Sequence, residues 1–158
     1  ALKTAIKNLE QLSSWARARI VLENDDRTFT IEDVLQVAED ADVPVAFDWH
    51  HHWVNPPVDQ NLDEVKQGEE ATHSDEASRE LLSRAFRLWK DRPPKVHLSS
   101  PKEGKNPRAH ADYVDPDFLL PFWRMVSELD VDRLDVMVEA KMKDLALFRL
   151  REQVPSPV

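Results

Sequence analysis

The chain contains no cysteine, which excludes disulfides, thiolate metal sites and cysteine nucleophiles together and fits a reducing compartment. Glycine is nearly absent as well. Only Gly68 and Gly104 occur in 158 residues, too few for the clustered glycines of a dinucleotide fingerprint or a phosphate-cradling loop. No apolar run approaches the roughly 20 residues that a membrane span needs, so no membrane partner is expected. Bases are outnumbered: 21 Lys+Arg against 30 Asp+Glu leave a net charge of −9, which rules out a uniformly basic nucleic-acid surface and allows only a local basic patch. What remains is 41% hydrophobic and 32% charged, a globular composition with chain enough for one cored domain. The reading is a single domain over residues 1–152 and a frayed tail over 153–158.

Ala1 opens directly into a helical pattern, ALKTAIKNLEQLSSWARA, with Leu2, Ile6, Leu9 and Leu12 near one stripe. There is no initiator methionine and no signal-peptide core, so the expectation is a processed or excised piece of something larger, not a secreted protein. Arg19–Glu23 is a short apolar run ending on an acid, followed by the turn cluster Asn24-Asp25-Asp26. Thr30, with Asp33 three residues on, opens a helix through about Ala41. Pro44–Asp48 reads as a strand, Glu76–Lys90 as an amphipathic helix stopped by Pro93 and Pro94, and Lys95–Leu98 as a strand. A polar loop over 99–115 leads to a helix opened by Pro116, with a kink or restart at Pro121. Leu134–Glu139 is a fourth strand, and 142–152 a last helix. Four strands, each followed by a helix, predict an α/β fold of parallel βα repeats.

Each strand ends on a metal-competent residue: Glu23, Asp48, His97 and Glu139. Parallel α/β folds gather the carboxyl ends of their strands on one rim, where these four would form an oxygen-plus-imidazole pocket suited to divalent cations. Acids at strand ends that merely cap helices are the competing account, and four of four tells against it. Strand parity sharpens the picture. Val136 and Val138 should face the outer helices, with Asp135, Met137 and Glu139 inward. Val96 and Leu98 should face out, with Lys95 and His97 inward, and an inward lysine is costly unless paired or chemically altered. A surface lysine on an edge strand is the alternative.

Asp48-Trp49-His50-His51-His52-Trp53 is the densest cluster. Three consecutive histidines on a strand cannot serve one ion, but a turn after the strand could aim Asp48 and His51 at adjacent ions. From Arg92 to His110 there are five bases and one acid, the only basic island in the chain, which suits a phosphate backbone near His97. A solvated loop accounts for the charge equally well.

The segments VLENDD (21–26), FDWHHHWVNP (47–56), KVHLSSPKEGKNPRAHADYV (95–114) and DVMVEAKMK (135–143) resemble UV damage endonucleases, the UvdE family, across nearly the whole chain. The resemblance implies a TIM-type (β/α)8 barrel related to endonuclease IV, of which this chain would be the C-terminal half, with about four strands. It implies a divalent metal cluster, most often Mn2+ with Mg2+, Zn2+ and Co2+ as alternatives. It also implies hydrolysis of damaged double-stranded DNA 5′ of UV photoproducts, which starts an alternative excision repair. Carried over by residue, Glu23 matches a bridging glutamate, Asp48, His97 and Glu139 match ligands of the central metal, and His51 and His110 match ligands of a third. Lys95 matches a lysine that the family can carry in carboxylated form, and Lys95, Glu23 and Glu139 are the catalytic set. Arg108 departs from the endonuclease IV pattern, which has an aspartate two residues before the histidine matching His110. Lys102, Lys105 and Arg108 are the DNA-contact candidates.

The half expected upstream would bring further histidine ligands and the residues that probe damaged bases. The chain alone is therefore expected to be inactive, and to need that half or a second copy of itself over its open edges. Such an enzyme would work in a bacterial cytoplasm, or in the nucleus of a eukaryote. Two rivals remain: a sugar-isomerase-like barrel, which also sets Glu, Asp, His and Glu on strand ends, and a non-catalytic metal-binding module.

Overall fold

The computed structural model describes residues 1–57, 75–104 and 106–154. The chain starts with helix α1 (Leu2–Glu10) and a single turn, α2 (Ser14–Arg17), where the pattern predicted one continuous helix. The break has a local cause: the Ser13 hydroxyl accepts from the Ala16 amide at 3.2 Å and so begins a new turn. Strand β1 (Leu22–Glu23) is short. Helix α3 (Ile31–Ala41) begins with the expected capping box, in which Thr30 Oγ1 accepts from Asp33 N at 3.3 Å and Thr30 N donates to Asp33 Oδ2 at 3.0 Å.

Strand β2 (Val45–Asp48) is buried on both faces and runs straight into a short helix, α4 (Trp49–Val54), which replaces the anticipated turn. Helix α5 (Asp75–Arg87), strand β3 (Lys95–Leu98) and helix α6 (Pro116–Ser127) follow. Pro121 lies inside α6 without dividing it. It forgoes one helical hydrogen bond, while buried Leu119, Phe122 and Met125 anchor the helix on both sides of it. Strand β4 (Asp135–Val138) and helix α7 (Asp144–Gln153) complete the described chain, and α7 takes in Gln153, the first residue of the expected tail.

The four strands form one parallel sheet in the order β1-β2-β3-β4. Asp48 pairs with His97, and Val96 pairs with both Phe47 and Val136, so the register is continuous through the middle of the sheet. α1 packs on α3, α3 on α5 and α5 on α6, making one helical layer. Between that layer and the sheet lies the core, including Leu35, Phe47, Leu82, Val96, Leu98 and Phe122, all fully buried. Trp89 seals its lower edge and donates its indole N–H to the Val45 carbonyl at 2.7 Å.

β4 departs from the alternation expected of it. Val138 packs on the core, but Val136 and Met137 are both exposed, at 38% and 56%. Among the described residues it has no neighbouring strand beyond it, and α7 leaves Leu145, Leu147 and Phe148 in solvent too. The face of β3 that carries Lys95 and His97 is likewise open, while Val96 and Leu98 point into the core.

The capping box is a direct test of the local reading. Thr30→Ala should lower the unfolding free energy by about 1 kcal/mol in chemical denaturation, through loss of the Asp33 amide's partner at the start of α3.

Candidate metal centre

Glu23, Asp48, His97 and Glu139 converge. Each offers one ligand-competent atom, and these atoms lie within 4.8 Å of one another. Asp48 is the last residue of β2, and its register partner His97 lies one residue from the end of β3. Glu23 closes β1, and Glu139, one residue past β4, is held by its amide donating to the Leu98 carbonyl at 2.9 Å. The rim of a parallel ladder thus brings together residues spread over more than a hundred positions.

The two oxygens of Asp48 have separate tasks. Oδ1 caps α4 by accepting from His51 N at 2.7 Å, whereas Oδ2 is buried with no hydrogen-bond partner. Burial, with the nearby charges of Glu23 and Glu139, pushes the Asp48 carboxyl up to about 6, against the opposing pull of His51. His97 donates from Nδ1 to Glu23 Oε1 at 2.9 Å and lies 3.4 Å from Glu139 Oε1. That bond to Glu23 raises the imidazole's pKa against burial.

The chemistry of this set fits a divalent cation. Three carboxylates and an imidazole form a mixed oxygen-nitrogen shell, and the orphaned buried Oδ2 is an acceptor that no protein group satisfies.

A second group adjoins it. His51 Nδ1 donates to the Asn24 carbonyl and His110 Nδ1 to the Glu139 carbonyl, each at 2.8 Å. Carbonyls only accept, so in the neutral rings both protons sit on Nδ1 and both Nε2 lone pairs are left for a ligand. The ring centroids are 5.9 Å apart. The helical course of α4 separates the three histidines by about 100° each. His50 turns inward to Ser99 and Pro107, and His52 to Ser78.

Asn24 escaped the sequence reading, which took it for a turn residue. It is buried, donates from Nδ2 to the Asp48 carbonyl and accepts at Oδ1 from the Asp48 amide, both at 3.0 Å. This reciprocal pair locks the ends of β1 and β2 together. An asparagine next to a strand-end glutamate was visible, but its partner 24 residues away was not.

Lys95 shares the open face with His97 but stands outside the group of four. Its ammonium pairs with Asp135 Oδ2 at 2.7 Å, because the β3–β4 register sets these residues side by side. The ion pair meets the charge that seemed to call for chemical alteration. Of the basic loop, Lys102 is exposed, Arg108 is half-buried with Nη1 enclosed and unpartnered, and Lys105 lies outside the described residues. A short antiparallel bridge, Pro101 with His110, closes the loop beneath them.

The family model for UV-endonuclease UvdE matches residues 1–157. The chain is 41% identical over 149 residues to the UV DNA damage endonuclease of Bacillus velezensis, covering 93% of this chain and 41% of that protein. It is 40% identical over 156 residues to the enzyme of the same name from Bacillus pumilus, covering 98% and 43%. The crystal structure of SacUVDE superposes with a TM-score of 0.67 at 30% identity, over 96% of this chain and 46% of that one. The chain therefore spans less than half the length of these relatives. Among the described residues no helix is long and apolar enough to cross a membrane.

The buried Asp48 carboxylate yields a prediction. Its folded pKa lies above the ordinary value, so the folded chain binds the extra proton. The resulting cost is absent below about pH 4 and complete above about pH 6. Asp48→Asn keeps the α4 cap and removes the charge. Without metal it should be more stable than the parent at pH 7.5, by up to about 2 kcal/mol, and no more stable at pH 4, as thermal denaturation across pH would show.

Proposed function

The chain belongs to the UV-endonuclease UvdE family, and on that premise we propose that it is the C-terminal half of a (β/α)8 barrel that hydrolyses UV-damaged DNA with divalent cations. The observation that carries this reading is the convergence of Glu23, Asp48, His97 and Glu139 from four consecutive parallel strands. Four strands in sequential order with an open inner face and two unpaired edges are what half of an eight-stranded barrel would be. The relatives' greater length supports the same view.

Divalent cations, with Mn2+ first and Mg2+, Zn2+ or Co2+ as alternatives, would neutralise charge on the phosphate and the departing 3′ oxygen and acidify the attacking water. The residues of this chain do the positioning. Glu23, Asp48, His97 and Glu139 would hold one cation. His51 and His110 offer their Nε2 atoms to another. Arg108, with a donor to spare, and Lys102 and Lys105 are the groups we assign to the DNA phosphates. We assign Glu23 and Glu139 to the catalytic set with Lys95, which Asp135 holds on the open face. This basic loop and the histidine pair favour a nucleic-acid substrate over a sugar. The partners are then damaged double-stranded DNA and the N-terminal half of the barrel, and the setting is the cytoplasm of a bacterium.

Two measurements test the proposal together. Titration with Mn2+ should show binding that His97→Ala weakens at least about tenfold, since a ligand is lost outright. A nicking assay on irradiated plasmid, run beside sedimentation, should show no cleavage by the chain alone. Robust nicking 5′ of photoproducts by a monomer would overturn the half-barrel account, and absence of Mn2+ binding would overturn the metal centre.

A further inference from the structure

His50 directly precedes His51 in α4, and it is wholly buried. Its Nε2 is 2.7 Å from the Pro107 carbonyl and its Nδ1 is 2.9 Å from Ser99 Oγ. A carbonyl can only accept, so Nε2 carries the proton and Nδ1 accepts the hydrogen of the Ser99 hydroxyl. A neutral imidazole satisfies both bonds at once. The ring also meets His110 edge-on, with centroids 5.2 Å apart.

These contacts add two hydrogen bonds between α4 and the loop that follows β3, where α4 already packs on β3 and the His51 and His110 rings lie 5.9 Å apart. His50 is in α4, next to His51. Ser99 directly follows β3, and Pro107 precedes His110 by three residues. The loop's own bonds, Lys102 N to the Ala109 carbonyl and Ala111 N to the Ser100 carbonyl, set its internal shape. His110 Nδ1 ties it to Glu139 beyond β4. Among the described residues, the His50 ring hydrogen-bonds the same loop to α4 at two points, Ser99 and Pro107.

We propose that His50 is a positioning residue that sets the spacing of His51 and His110 and thereby builds the cation position those two histidines share. The inference rests on the reading of His51 and His110 as ligands, and it adds a residue that touches no cation itself. The second of the three consecutive histidines then ligates because the first is locked in place. Arg108, adjacent to Pro107, is carried by the same bond.

The test uses His50→Phe, which keeps an aromatic ring of similar size but loses both hydrogen bonds, and His50→Gln, whose amide N–H can still reach the Pro107 carbonyl. Free Mn2+ is followed by electron paramagnetic resonance during titration of the parent and both variants, with circular dichroism melts alongside. In the parent, long-range proton–nitrogen spectra should show His50 as the Nε2–H tautomer. In His50→Phe one class of Mn2+ sites should weaken by about tenfold or more while the other is retained, and His50→Gln should restore part of the loss. Unchanged affinity of every class in His50→Phe would overturn the proposal. So would a uniform loss that tracks the melting temperature, or the Nδ1–H tautomer in the parent. If His50→Phe fails to fold, the parent's tautomer and the His50→Gln titration decide the matter: Gln with one class weakened and the other retained supports it, and Gln with both classes unchanged, or both lost in a folded chain, refutes it. A parent that binds no Mn2+ at all would instead overturn the underlying reading of the metal centre.

Discussion

Three carboxylates held around one imidazole, with ligand atoms inside 4.8 Å, are the constraint that the rest of this structure is arranged to support. Like charges at such range repel, and Asp48 is also cut off from water, so the cluster opposes folding on its own account. Backbone geometry holds it together. The parallel ladder sets Asp48 beside His97, the Asn24 amide bolts β1 to β2, and Asp48 Oδ1 is engaged in starting α4. The N–H that His97 donates to Glu23 answers part of the charge. A divalent cation would answer the rest, and the uncompensated Oδ2 of Asp48 is the local sign of that demand.

The same ladder explains why one face of the sheet is finished and the other is not. Helices α1, α3, α5 and α6 cover the side that holds Phe47, Val96 and Leu98, and the core there is continuous. On β4 and α7 the packing thins, leaving Met137, Leu147 and Phe148 exposed. Apolar side chains on an edge strand are an invitation to pair with more chain. They stand beside Lys95 and Asp135, whose ion pair gives the open face a polar base.

Much of this was legible in the residues. Hydrophobic spacing, the Thr30-x-x-Asp33 cap and the proline stops delimited α3, α5 and α6 because those signals act within a few positions. The strand-end acids and His97 could be named because a parallel βα order sends every strand's carboxyl end to the same rim. The first helix was read too long, because Leu12 continued the stripe while Ser13 supplied a competing hydroxyl. α4 reads as a turn in the sequence, because five residues of Trp and His followed by Val54 carry no period that marks a helix.

Sequence alone thus determined the class of fold, the order of its elements and which residue types would stand at the rim, all of which follow from local propensity and chain direction. Tertiary structure alone decided the pairings. Asn24 meets Asp48, Lys95 meets Asp135, and His50 meets Ser99 and Pro107, each across 24 to 57 positions. Such partners are chosen by strand register and by how α4 sits against the following loop. The energy of a hydrogen bond or ion pair depends on separation and burial in space, and neither quantity is encoded in the spacing of residues along the chain.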